Sequence, residues 1–157
     1  MNLNFTAGPT SLDRLDTAIE RMVHKHGFQR LSNDTPDLPA GLAVLLLTDD
    51  PQRNLEFLDA CVILPEALKG LPEQVTKLVS GPDHTPTLLQ RYGVAFRGPA
   101  VVFLRDEQYV GVLTGIRDWG EYQAEVQRLL AMAPNDSSIQ KPIGIPVRVE
   151  TRQGACS

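Results

Sequence analysis

Residues Leu88 to Gly115 read LLQRYGVAFRGPAVVFLRDEQYVGVLTG, and this stretch decides the predicted fold. It begins inside a short helix, which we predict from Thr85 to Tyr92 and which Gly93 ends. After Gly98 and Pro99 come two segments rich in β-branched residues, AVVFLRD and QYVGVLTG, separated by a polar turn. The pattern predicts a helix, a proline-containing loop and a β-hairpin, in that order.

The rest of the chain supplies further elements on either side of this stretch. Leucines and other apolar residues recur at helical spacing before Gly27, whereas LAVLLLT is a continuous apolar run of strand length, typical of a central strand covered on both faces. In chain order we predict a helix over 12–27, a short strand FQRLS, the strand Leu42–Thr48, a helix over 54–71 that contains Pro65, the strand VTKLVS, and, after the hairpin, a helix over 119–132.

This order, α-β-β-α-β-α-β-β-α, predicts an α/β fold with a mixed central sheet of four to five strands flanked by helices. The helix that contains Pro65 is expected to form the crossover between two parallel strands. We predict one domain over residues 1–134. Residues 135–157 are polar and interrupted by prolines, so we expect an extended or disordered tail there.

Composition excludes several classes of function. The net charge is -4 and the Lys and Arg residues are not clustered, which argues against nucleic-acid binding. No apolar run reaches the roughly 20 residues that a membrane span needs, and the first ten residues lack a signal-peptide pattern, so we expect a cytoplasmic protein without membrane insertion. Cys61 and Cys156 lie far apart in sequence, and no motif predicts a metal or another cofactor.

Acidic residues are concentrated in one part of the chain. Between Asn33 and Glu66 there is a single base, Arg53, against seven acids: Asp34, Asp37, Asp49, Asp50, Glu56, Asp59 and Glu66. Such a segment can attract a basic partner, although a solvated acidic surface is the more frequent outcome.

With this order of elements the chain resembles the thioredoxin fold over roughly residues 12–132. The resemblance rests on RYGV (91–94), Gly98 followed by Pro99, the hairpin that ends at Gly115, and Pro65 inside the second helix. It implies a cis peptide bond before Pro99 and a loop there that contacts extended peptides. It also places Phe57 and Ala60 where thioredoxins carry the two cysteines of Cys-x-x-Cys, a motif that this sequence lacks.

A narrower resemblance accounts for the missing cysteines. DDPQR (49–53), GPAVVF (98–103), YVGVLTGI (109–116) and Trp119 together are similar to the hydrogenase-expression family known as HyaE, HupG or HoxO. These are thioredoxin-like accessory proteins of [NiFe]-hydrogenase maturation. The resemblance implies a non-catalytic chaperone that binds the hydrogenase small subunit precursor, including its twin-arginine signal peptide, before export. Other hydrogenase maturation proteins are further candidate partners.

The predicted partner-binding residues come from two segments, and no catalytic residue is predicted. Negative charge for a basic signal sequence would come from Asp49, Asp50, Glu56 and Asp59, among which Arg53 lies. Arg97 and the backbone from Phe96 through Gly98 to Pro99 would offer hydrogen bonds, and Phe57 and Phe96 would offer apolar contact.

Two alternatives remain open from the sequence. The first is a monothiol redox protein that uses Cys61, although a buried structural cysteine is the more frequent situation. The second is a scaffold that recruits other maturation factors through the basic residues of the tail, Lys141, Arg148 and Arg152.

Overall fold

The structure is a computed structural model, and it describes residues 8–34, 36–71 and 74–134. These residues form four helices and five strands in the predicted order. The elements are α1 (Ser11–His26), β1 (Gln29–Arg30), β2 (Leu42–Leu47), α2 (Glu56–Leu68), β3 (Val75–Ser80), α3 (Thr85–Tyr92), β4 (Ala100–Arg105), β5 (Gln108–Thr114) and α4 (Trp119–Ala131).

The strands form one mixed sheet in the order β1-β3-β2-β4-β5. Strand β2 is central, with β3 parallel to it on one side and β4 antiparallel on the other. The connection from β2 to β3 through α2 is therefore the predicted parallel crossover, and β4 and β5 form the predicted hairpin. The expected α/β, thioredoxin-like fold is confirmed, with five strands in the sheet.

Side-chain hydrogen bonds and a glycine fix the ends of α1 and the start of α4. The Thr10 side chain accepts a hydrogen bond from the Asp13 amide, and the Asp13 carboxylate accepts one from the Thr10 amide, so two otherwise unpaired donors at the start of α1 are satisfied. Gly27 ends α1 with φ of 75°, a conformation that costs glycine little. Asp118 caps α4 by accepting from the Glu121 amide.

Helices cover the two faces of the sheet unequally. On one face α1, α2 and α4 pack on the strands, with Ile19, Leu64 and Val126 among the fully buried residues. On the other face α3 contributes Leu88 and Tyr92 to a smaller cluster. Side chains of β2 alternate between these two clusters, which explains why its sequence is a continuous apolar run.

Arg105, at the end of β4, satisfies carbonyl groups at the end of α4. Its Nε donates to the Met132 carbonyl at 3.3 Å, and an Nη atom donates to the Leu130 carbonyl at 2.7 Å. The last carbonyls of a helix have no partner within the helix, so these charged hydrogen bonds fix α4 to the sheet.

We expect Arg105→Ala to lower the free energy of unfolding by about 2 kcal/mol, because both carbonyls lose a charged donor. Arg128→Ala is the matched control on α4: the Arg128 side chain in its ion pair with Glu125 is 54% exposed, and we expect a loss of about 0.5 kcal/mol or less. Urea denaturation of the two variants measures the difference. Equal losses would show that Arg105 does not hold the helix end.

The expectation of a cis peptide bond before Pro99 is wrong. Among the described residues no peptide bond is cis, so the bond between Gly98 and Pro99 is trans. Trans is the preferred isomer of an X-Pro bond by about 0.5–1 kcal/mol, and only the resemblance argued for cis.

Two further expectations concern the tail and the membrane. The predicted tail over 135–157, with its basic residues, lies outside them, so the domain boundary at Pro134 stays a prediction. Within the described part of the chain, no helix has the length and apolar character needed to cross a membrane.

Candidate docking site at one end of the sheet

Three loops meet at one end of the sheet because of its strand directions. Leu47, at the end of β2, is in register with Ser80 at the end of the parallel strand β3 and with Ala100 at the start of the antiparallel strand β4. The loops that follow Leu47, follow Ser80 and precede Ala100 therefore leave the sheet side by side. Segments 49–54 and 96–99, which are distant in sequence, become neighbours in this way.

These loops and the start of α3 enclose a cleft of about 570 Å³. Four of its lining residues belong to the predicted site, and two more come from α3; together they are Asp49, Arg53, Phe96, Arg97, Pro86 and Leu89. This set is called the cleft below. The structure thus brings the 49–53 and 96–97 segments together.

The cleft is not strongly acidic. It contains two arginines, Arg53 and Arg97, and one acid, Asp49. The Arg53 guanidinium is 3.7 Å from the Asp49 carboxylate, and the Arg53 side chain is 76% exposed, so this pair is weak. Both guanidinium groups can donate to the carbonyl groups of a bound peptide.

Phe96 lies over two glycines. A Cβ atom at Gly98 would be 2.6 Å from Phe96 Cε2, and one at Gly115 would be 3.3 Å from Phe96 Cζ. Both glycines therefore allow the ring to lie close to the backbone. The Phe96 side chain is 39% exposed, and a ligand can contact this exposed part.

Gly98 and Pro99 are buried beneath the loop and do not line the cleft. The Pro99 carbonyl already accepts a hydrogen bond from the Gly115 amide at 2.8 Å. Of the predicted backbone contacts, the Pro99 carbonyl is therefore occupied within the fold.

Asp50 has a structural task. Its carboxylate accepts hydrogen bonds from the Ser11 hydroxyl and from the Gln52 amide, which joins the start of α1 to the turn after β2. The Ser11 hydrogen bond, followed by that of Gln52, lowers the pKa of the Asp50 carboxyl, so it remains ionised at neutral pH. It does not line the cleft.

Phe57 is placed in the core, which corrects the expectation that it offers an apolar surface. Its side chain is only 3% exposed. The reason is the rotation of α2: Phe57, Ala60 and Leu64 all lie on the buried face of this helix. Glu56 and Asp59 lie outside the cleft, and Asp59 is exposed on α2.

Cys61 is also in the core, at 4% exposure. Burial raises the pKa of its thiol to about 12, so the thiolate is essentially absent at neutral pH. The alternative of a monothiol redox protein that uses Cys61 therefore lacks its nucleophile.

Sequence reasoning missed Pro86 and Leu89. They lie on α3, three residues apart, so they share one side of that helix. The pattern TPTLLQRY shows that Pro86 and Leu89 share one side of a helix. It does not show which loops that side faces, because this depends on how α3 packs on the sheet.

Comparisons with known proteins agree with the narrower resemblance. The family model described as Hydrogenase-1 expression protein HyaE matches residues 18–122. The chain belongs to the HyaE family. The matched region contains every residue of the cleft and all five strands.

Curated relatives of the HyaE family match at similar identity. A hydrogenase expression/formation protein HoxO from Cupriavidus necator is 37% identical over 97% of this chain and 95% of its own length. HoxO from Azotobacter vinelandii is 38% identical over 72% of this chain and 77% of its own length. The similarity to a hydrogenase expression/formation protein thus extends over nearly the whole chain.

Solved structures were matched as well. A putative hydrogenase expression/formation protein HupG from Rhodopseudomonas palustris covers 74% of this chain and 90% of its own, with 25% identity and a TM-score of 0.39. Reduced desulfothioredoxin from Desulfovibrio vulgaris covers 56% of this chain and 81% of its own, with 23% identity and a TM-score of 0.47.

Proposed function

We propose that this protein is a non-catalytic accessory chaperone of [NiFe]-hydrogenase maturation. It binds the hydrogenase small subunit precursor, through the subunit, its twin-arginine signal peptide or both, before export. It acts in the cytoplasm, where such a precursor is made. Membership of the HyaE family supports the hydrogenase context.

The observation that carries the proposal is the cleft. It brings together side chains from three separate segments in a concave surface that combines the Phe96 ring, the apolar residue Leu89 and two guanidinium groups. Apolar walls with a few polar groups are typical of sites that bind an extended peptide. A volume of about 570 Å³ accommodates a few side chains rather than a whole folded domain.

Chemistry argues for binding rather than catalysis at this site. Phe57 and Ala60 occupy α2 at the positions that the resemblance assigns to the cysteines, and both are buried. Cys61 is buried and its thiol pKa is raised to about 12. The described residues therefore lack the cysteine chemistry of thioredoxins, and the residues that line the cleft supply apolar contacts and charges.

Capture of the purified small-subunit precursor, with and without its signal peptide, tests the proposal. We expect the unmodified protein to bind, and we expect Phe96→Ala and Arg97→Glu each to weaken binding about tenfold or more, as for residues at the centre of an interface. Binding is measured by titration of the labelled precursor.

Arg21→Glu is the matched control for Arg97→Glu, since Arg21 is an exposed arginine on α1, outside the cleft. It makes the same change of charge and should leave the affinity within about twofold at moderate salt. Absence of binding to either form of the precursor would refute the proposed function. Binding that Phe96→Ala and Arg97→Glu leave intact would refute the cleft as the site.

A further inference from the structure

The outward side of α2 carries an unusual set of residues. Leu55 precedes the helix with helical dihedral angles, φ of -64° and ψ of -18°, and so extends its surface by one position. At 100° per residue, Leu55, Asp59, Val62 and Glu66 fall within about 60° of one another around the helix. These four residues are called the α2 outer stripe below.

The α2 outer stripe points away from the sheet. The opposite side of the helix carries the buried residues Phe57, Ala60, Cys61, Leu64 and Ala67. On the stripe, by contrast, Leu55 is 68% exposed and Val62 is 58% exposed. These are the two most exposed large hydrophobic side chains in the described part of the chain, and both lie on one helix face.

The polar residues of the stripe are both acids. Asp59 lies between the two aliphatic residues, and Glu66 lies one turn beyond Val62. Lys69 forms an ion pair with Glu66 at 2.8 Å, and this hydrogen bond lowers the pKa of the Glu66 carboxyl. Lys69 offsets the charge of Glu66, so the negative charge of the stripe is centred on Asp59, and a complementary surface is apolar with a positive charge opposite Asp59.

The spacing of the stripe selects a helical partner. Leu55 and Val62 are seven residues apart, which places them two turns and about 10 Å from each other along the axis. Apolar residues at that spacing on a second helix can pack against them, as in antiparallel helix pairs. An added strand is not favoured, because α2 offers no free sheet edge.

We propose that the α2 outer stripe binds a basic amphipathic helix of the small subunit precursor, separately from the segment that enters the cleft. This inference rests on the proposed function. The partner helix would present aliphatic residues to Leu55 and Val62 and a Lys or Arg residue to Asp59. The acid that attracts the precursor thus lies on α2, while the cleft contributes apolar contact and arginines.

Photocrosslinking from position 62 identifies the occupant of the stripe. The full chain carries a benzophenone amino acid in place of Val62, and a control carries it in place of the exposed Arg21 on α1. We expect position 62, but not position 21, to crosslink to a precursor segment in which Lys or Arg and aliphatic residues recur at helical spacing. A crosslink to an acidic or extended segment, to a second copy, or to another part of this chain would overturn the inference.

Affinity measurements separate this inference from the proposed function. The double variant Leu55→Ser/Val62→Ser should bind the precursor about 10- to 100-fold more weakly, because it lacks the two aliphatic side chains that the partner helix would bury. Asp59→Lys should weaken binding in the same direction. Leu12→Ser is the control, since Leu12 is an exposed leucine on α1 outside both surfaces, and its affinity should not change.

Failure of this inference and failure of the proposed function give different binding results. If the unmodified protein binds the precursor and the double variant binds it equally well, the stripe has no docking role while the proposed function stands. If the unmodified protein does not bind the precursor at all, the proposed function fails, and this inference fails with it.

Discussion

Phe57→Ala is expected to lower the free energy of unfolding by about 3–5 kcal/mol, whereas Phe96→Ala should lower it by about 1 kcal/mol. The two substitutions remove the same side chain. They differ because Phe57 is 3% exposed and Phe96 is 39% exposed. A cavity forms in the core only in the first case.

The two variants should also differ in their affinity for the precursor, in the reverse order. Phe57 lies on the buried side of α2 and does not line the cleft. The folded fraction of Phe57→Ala should therefore bind the precursor with nearly the affinity of the unmodified protein. Phe96→Ala should stay folded and bind weakly. Urea denaturation with the fluorescence of the single Trp119 measures the first effect, and precursor titration at low temperature measures the second.

A contradictory result is easy to recognise. If Phe57→Ala lost less than about 1 kcal/mol of stability and bound weakly, Phe57 would have to be at the surface, and the packing of α2 on the sheet would be wrong. A stability loss in Phe96→Ala as large as that in Phe57→Ala would mean that the ring supports the core rather than the cleft.

The Cys61 thiol is expected to react with a thiol reagent at least about 1,000-fold more slowly in the folded protein than in the unfolded chain. Its pKa is raised from 9.0 to about 12, so at pH 8 the thiolate fraction falls by about three powers of ten. Burial at 4% exposure hinders the reagent further. The rate is measured in a Cys156→Ser background, in which Cys61 is the single thiol.

The same shift makes stability depend on alkaline pH. Because the folded-state pKa of Cys61 lies above the unfolded value, the folded protein keeps this proton between pH 9 and about 12 while the unfolded chain loses it. The stability contributed by the protonated thiol is fully present below pH 9 and falls as the pH rises towards 12. A shift of three units corresponds to at most about 4 kcal/mol.

Cys61→Ala in the Cys156→Ser background isolates this contribution. Tyr109 and Tyr122 also have pKa values raised by burial, so they weaken the folded state at alkaline pH in both proteins. The difference between the two pH profiles should therefore report on the Cys61 thiol together with its interaction with Tyr122, because a charged Cys61 also raises the pKa of Tyr122. Rapid modification of the native thiol at pH 8, or identical profiles above pH 9, would contradict its burial and restore the monothiol alternative.

Local patterns were sufficient for most of the fold. The segment VTKLVS is β3 from its first to its last residue, and the helix predicted from Thr85 to Tyr92 is α3. Both are bounded by residues that end an element for local reasons, such as Gly93 in a left-handed conformation. The strand predicted as FQRLS has only two residues, Gln29–Arg30, and the Phe28 amide instead donates to the Met22 carbonyl at the end of α1.

The site was predicted less completely than the fold. Asp49, Arg53, Phe96 and Arg97 do line one cleft, because the end of β2 and the start of the antiparallel strand β4 lie at the same end of the sheet. Phe57 is buried rather than exposed, and Asp50 accepts a hydrogen bond from Ser11 rather than lining the cleft, for a different reason. Charge and apolar character are visible in the sequence, but whether a side chain meets the core, a neighbouring hydroxyl or solvent is decided by helix rotation and loop geometry.

The sequence by itself determined the elements and their order, because these follow from the periodicity of apolar residues and from local start and stop signals. The order in turn predicted the mixed sheet, and the absence of Cys-x-x-Cys is read directly from the sequence. Only the tertiary structure decided that Leu55 and Val62 are exposed while Phe57 and Cys61 are buried on the same helix. Burial is set by the position of α2 between the sheet and solvent. That position depends on packing against strands distant in the sequence, which no local pattern encodes.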